Sequence, residues 1–200
     1  MIIIDGQKAS MNIEHYANLE EILVQAGVEC NKEKRIITDV FLNDEQFSEI
    51  YPHQAEDIER DEIRSVEIRS VPLGEMALNI TDELFKVTRM LCDGSREIAL
   101  LFRQGDDQQA LDLFQDLLNT TRDFMSMVGV LRSDFVEVSD PEFVSLVEKL
   151  SGLLGEINEV LASEDWILLS DLLEYEFLPV CEQWNTVLQS MRTLISKTLD

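Results

Sequence analysis

The sequence predicts an α+β chain, a small N-terminal mixed module followed by an antiparallel four-helix bundle, and three observations carry that prediction. Residues 166–194 place apolar or small side chains at alternating steps of four and three. The row runs through Trp166, Ser170, Leu173, Phe177, Val180, Trp184, Val187, Met191 and Leu194. Such a period suits a helix that buries one seam against other helices. Three earlier segments between residues 73 and 161 repeat it. The first seventy residues instead contain short β-branched runs that alternate with a period near two, the mark of half-buried strands.

At the N-terminus, Met1-Ile2-Ile3-Ile4 is a strand-like run followed by Asp5-Gly6, a strong hairpin-turn signal. Residues 10–16 alternate Met11, Ile13 and His15 with Asn12, Glu14 and Tyr16, and suit a returning strand. Asn18 with Glu21 three positions later forms a capping box for a short helix carrying Leu19, Ile22, Leu23 and Ala26, with Gly27 as its stop. Residues 35–42 are strand-like ahead of the turn pair Asn43-Asp44. A polar, acid-rich crossing follows, and 65–71 alternates again as a last strand.

That order resembles the ubiquitin-like β-grasp family, in which a hairpin, a crossing helix and a final strand parallel to the first build one sheet. Sulfur carriers and conjugated modifiers of that family end in a free Gly-Gly. Here Ser70-Val71-Pro72-Leu73 runs straight into another segment. The resemblance therefore implies a docking or structural module rather than thiocarboxylate or conjugation chemistry.

Pro72 disfavours helix before it and opens one after it, so the expected domains are 1–71 and 72–200. The first long helix is expected to bury Leu73, Ala77, Ile80, Leu84, Val87, Leu91, Gly94, Ile98 and Leu101. Gly105-Asp106-Asp107 ends it and starts a second, with Ala110, Phe114, Leu117, Thr121, Phe124, Val128 and Leu131 as its seam. Asp140-Pro141 caps a third, presenting Phe143, Val147, Leu150, Leu154, Ile157 and Leu161. Ser163-Glu164-Asp165 opens the fourth. Short links imply antiparallel neighbours.

Composition bounds the function. Forty acidic against 16 basic residues leave a formal charge of −24. This field repels nucleic acid and anionic lipid, favours basic partners and keeps the surface dispersed. The apolar runs are too short to cross a bilayer, and the start reads as no signal peptide, which points to the cytoplasm. Cys30, Cys92 and Cys181 are odd in number and lie in no paired motif, so they read as buried or incidental thiols.

No catalytic constellation emerges. His15 and His53 both lie in the first module and belong to no Glu-x-x-His pair, and Gly152-Leu153-Leu154-Gly155 has no lysine after it. The expected reading is non-enzymatic, with no metal and no cofactor. The sharper candidate is residues 171–184. Pro179 lacks an amide hydrogen and should free the Tyr175 carbonyl, kinking or bulging the helix. A groove near Tyr175, Phe177 and Trp184, rimmed by Asp171, Glu174, Glu176 and Glu182, would suit a basic amphipathic helix. In the alternative, the aromatics fill the core and the proline only bends the helix around it.

The stretch 165–184, with Asp-Trp at its start and Leu-Leu-Glu-Tyr-Glu-Phe-Leu-Pro within it, resembles bacterial proteins of unassigned activity sometimes encoded among motility genes. The resemblance implies a cytoplasmic adaptor or export-chaperone-like protein that binds a protein partner, while a structural homodimer built through the bundle and an unrecognised enzyme stay open.

Overall fold

The computed structural model describes residues 1–49, 51–135 and 141–197. The chain divides into two compact units, Met1–Met76 and Ala77–Asp200.

In the first unit, β1 (Ile2–Ile4) turns through Asp5 and Gly6, both at positive φ, into β2 (Gln7–Lys8). Helix α1 (Leu19–Lys32) follows, then β3 (Arg35–Leu42), β4 (Glu45–Phe47) and β5 (Val66–Pro72). The sheet order is β2-β1-β5-β3-β4, with β5 parallel to β1 and antiparallel to β3. This is the β-grasp layout. Ile2, Val66 and Ile68 pack with Leu19, Ile22 and Ala26 of α1 in one apolar core.

Three local expectations are corrected. Residues 10–16 form no strand: Asn12 accepts from the Glu14 amide and closes a 3₁₀ turn at Ile13–His15. Helix α1 does not stop at Gly27, because its buried row Leu19, Ile22, Ala26 continues to Cys30. It ends near Lys34, whose φ is +54°. The segment after Asn43-Asp44 is not wholly irregular. Both turn residues have positive φ, the geometry of a tight hairpin, and β4 pairs back on β3. Asn18 caps the helix as expected, but the return bond of the box reaches one residue beyond the cap. Asn18 accepts from the Glu21 amide at 3.0 Å and the Glu21 carboxylate accepts from the Ala17 amide at 2.7 Å.

The second unit is a bundle of four long helices. They are α2 (Leu73–Gln104), α3 (Asp107–Phe135), α4 (Pro141–Ser163), and a last helix made of α5 (Trp166–Leu172), a π-helical turn (Leu173–Phe177) and α6 (Leu178–Lys197). Gly105, at φ +78°, ends α2. Asp165 caps α5 by accepting from the Leu168 amide at 3.0 Å. Asp140, the expected cap of α4, lies outside the described residues.

Seams decide how these helices face one another. That of α3 is as expected, Ala110 through Leu131. In α2 it is not. Alongside Ala77, Leu84, Leu91 and Ile98, the buried positions include Thr81, Thr88, Ser95 and Phe102, each one residue beyond the expected Ile80, Val87, Gly94 and Leu101, with Cys92 and Ala99 beside them. The three hydroxyls bond back to the carbonyls of Ala77, Phe85 and Cys92 at 2.8–2.9 Å, so their burial leaves no donor unpaired. In α4 the buried row is Leu146, Leu150, Leu153, Ile157 and Val160, while Phe143, Val147, Leu154 and Leu161 flank it. In the last helix Ile195 is buried and Leu194 flanks it.

Side-chain pairs set the register of α2 against the last helix. Asp82 meets Arg192 at 2.9 Å, Thr88 meets Asn185 at 2.9 Å, Arg96 meets Glu182 at 3.4 Å and Arg103 meets Asp171 at 2.8 Å. Numbers rise along one helix and fall along the other, so the two are antiparallel.

Candidate functional site

The residues expected to hold a partner lie on the fourth helix, and its local geometry follows from its sequence. Leu169, Leu173, Phe177 and Cys181 are each 0–2 % exposed and recur strictly every four residues. On a regular α-helix a row of fours drifts by roughly 40° per repeat. One π-turn absorbs that drift: the Leu178 amide donates to the Leu173 carbonyl, five residues back. Pro179 follows directly. The bulge expected from it is present, placed where the chain both lacks a donor and needs an extra residue.

The predicted site divides. Phe177 and Trp184 are 0 % and 1 % exposed, with Trp184 edge-on to Phe124 and Phe143 at 5.6 Å. They line no groove, which corrects that expectation in favour of the core alternative. Burial of a large aromatic outweighs any use of it on the surface. Pro179 is half-buried behind the π-turn. Asp171, Glu174 and Tyr175 do come together, around a residue the sequence reading missed. Arg103 of α2 hydrogen-bonds to both carboxylates, and its guanidinium carbon lies 5.8 Å from the Tyr175 ring centroid. Asp171 first, and Glu174 second, push the Arg103 pKa further up. The acidic and aromatic cradle expected for a partner's basic side chain thus holds one of the chain's own. No local sequence signal pairs positions about seventy residues apart.

Another surface has the character expected of a binding groove. Between α2 and α3 lies an open cleft of about 210 Å³ floored by Leu91, Ile98, Leu113 and Leu117, with Met90 at its mouth. Met90 is 64 % exposed although wholly apolar. Gly94 keeps the floor low: a Cβ there would stand 3.5 Å from a Leu117 methyl, so larger side chains would fill the space. Glu97 and Asp116 stand at its rim, one on each helix. A signal for this cleft was present in the sequence as Gly94 in an apolar row, where it reads as a seam position.

The N-terminal unit holds a polar node. Asp5 accepts from the Ser70 amide and hydroxyl, both at 2.7 Å, and from Arg35 at 3.0 Å. Burial raises the Asp5 pKa, but the Ser70 and Arg35 interactions outweigh it and leave the group below its ordinary value. The node ties the β1–β2 turn to β5 and β3. His15 and His53 are both exposed, and His53 meets Glu56 at 3.2 Å. Among the described residues no group of three or more His, Cys, Asp or Glu side chains could hold a metal ion, and no helix is long and apolar enough to cross a membrane.

Comparison with known proteins places both halves. No curated protein and no solved structure matches the chain. Residues 1–71 match the model of a domain of unknown function, DUF8043, and residues 79–187 match that of a second, DUF8042. Since the latter covers more than half of the chain, the protein belongs to the DUF8042 family, with a DUF8043 domain ahead of its helical bundle.

Proposed function

We propose that this chain is a non-enzymatic cytoplasmic adaptor, of the kind that chaperones exported proteins, whose bundle holds a basic, amphipathic helical segment of a protein partner. The observation that carries the reading is the α2–α3 cleft, apolar on its floor, open at Met90 and acidic at Glu97 and Asp116. An apolar helix face fits such a floor, and Lys or Arg beside it fits the rim and the overall charge of −24. The site differs from residues 171–184, where Arg103 engages Asp171 and Glu174.

Calorimetric titration with a synthetic amphipathic helix carrying Leu on one face and Lys on the other tests this. The parent is expected to bind and Gly94→Leu, which fills the cleft, to weaken binding by about tenfold, the ~1.4 kcal/mol worth of one or two lost apolar groups. Glu97→Lys should weaken it too, more at low salt than at high. Binding that survives Gly94→Leu unchanged would show mere charge attraction and overturn the assignment of the cleft. A rise in the mass of the bundle itself, without peptide uptake, would favour self-association instead.

A further inference from the structure

Cys92 on α2 and Cys181 on α6 stand apart from that cleft. Thr88 and Asn185 are in contact at 2.9 Å. One helical turn onward along α2 is Cys92, and one turn back along the antiparallel last helix is Cys181. The next turn of α2 brings Arg96 to Glu182 at 3.4 Å. Cys92 and Cys181 therefore stand level with each other on the two antiparallel helices, between two interhelical polar contacts, and each thiol shifts the pKa of the other. Both residues are buried, but Cys92 also reaches an open groove of about 770 Å³ between the helices, beside Arg96, Glu182 and Asn185. Cys30, also buried, lies in the other unit.

We propose that Cys92 and Cys181 form a peroxide-responsive dithiol that closes to an intramolecular disulfide across α2 and α6. The groove admits a small hydroperoxide to Cys92. The Cys92 thiolate attacks one peroxide oxygen, forming an S–O bond as the O–O bond breaks, and the departing hydroxide takes a proton to become water. Cys92 is then a sulfenic acid. The Cys181 sulfur attacks that sulfur, the S–S bond forms as the S–O bond breaks, and the hydroxide leaves with the Cys181 proton as a second water. Two thiols lose two electrons in all, and one hydrogen peroxide becomes two waters. The S–S bond closes to about 2.05 Å.

The surroundings assign the two roles. The hydrogen bond from Cys181, with help from Arg96, lowers the Cys92 pKa against burial and the nearby Glu182 and Asp93 carboxylates. The same hydrogen bond, then burial, raises that of Cys181. Cys92 is accordingly the attacking thiol. Once it is oxidised to a neutral acid, the hydrogen bond and charge that hold the Cys181 proton are gone, which frees Cys181 to resolve it.

Treating the full chain with hydrogen peroxide, then mapping non-reduced peptides by mass spectrometry, tests this. The expected product is a monomer with Cys92 linked to Cys181, reversed by dithiothreitol, formed about tenfold faster than Cys30 is oxidised. Cys181→Ser should leave Cys92 as a sulfenic acid trapped by dimedone, and Cys92→Ser should leave Cys181 reduced, with circular dichroism confirming that each is folded. Oxidation of Cys30 as fast as the pair, or over-oxidation of Cys92 in the parent without a link, would overturn the proposal. So would oxidation of Cys181 in folded Cys92→Ser.

Discussion

At the scale of single residues, Trp184 shows how burial and polarity are traded. Its indole fills the bundle core between Phe124 and Phe143, yet its Nε1 has no hydrogen-bond partner among the described residues. An unpaired buried donor costs about 1–3 kcal/mol, so Trp184→Phe, which keeps the edge-to-face packing, should lie within ~1 kcal/mol of the parent in urea unfolding. Trp184→Ala should lose about 3–5 kcal/mol. Arg103 is different in kind. Its ion pairs with Asp171 and Glu174 are a third to a half exposed, so Arg103→Ala should cost no more than about 1 kcal/mol, and less in high salt. Asp5 has a pH signature. Its folded pKa lies below the ordinary 3.8, so its contribution is fully present above that value and is lost as pH falls through the folded pKa. The stability gap between the parent and Asp5→Asn should be widest near neutrality and close as pH falls below 3.8.

At the scale of elements, the π-turn is a one-residue insertion in an otherwise regular heptad. Removing one exposed residue from it would return Leu169, Leu173, Phe177, Cys181 and Trp184 to alternating steps of four and three on a straight α-helix. Deletion of Glu176 together with Pro179→Ala, which restores the missing amide, should therefore keep full helicity and lie within about 2 kcal/mol of the parent. Deletion of the equally exposed Gln183 should rotate everything after it by roughly 100° and abolish cooperative melting. Circular dichroism distinguishes the two, and equal damage from both would contradict the assignment. The bulge was legible because proline's missing donor is a local property. So was the α3 seam, where each buried position is apolar or threonine and no neighbouring row competes. In α2 the apolar row Ile80, Val87, Gly94 and Leu101 masked the true one, since buried threonine and serine satisfy themselves by bonding to their own helix. The strand pairing of β5 followed from its alternation, but β4 is only three residues long and polar, below what a period can reveal. The Arg103 cradle and the Cys92–Cys181 pair depend on register between distant helices, which no local pattern encodes.

At the scale of the whole molecule, charge is the dominant property. Both units are acidic. Residues 1–71 hold 16 acids against 7 bases and residues 72–200 hold 24 against 9, so the excess is not a tail but a field over the protein. Three arginines of the bundle, Arg96, Arg103 and Arg192, join α2 to the last helix rather than shielding the α2–α3 cleft. Glu97 and Asp116 stay at its rim, and a basic partner meets apolar floor and negative edge together. The most direct test is to follow backbone amide shifts of the full chain while the Leu- and Lys-faced helix is titrated in. Changes concentrated in residues 90–98 and 113–120, saturating together and absent in Gly94→Leu, are what the adaptor reading predicts. Changes scattered over the acidic surface, or confined to the N-terminal unit, would contradict it.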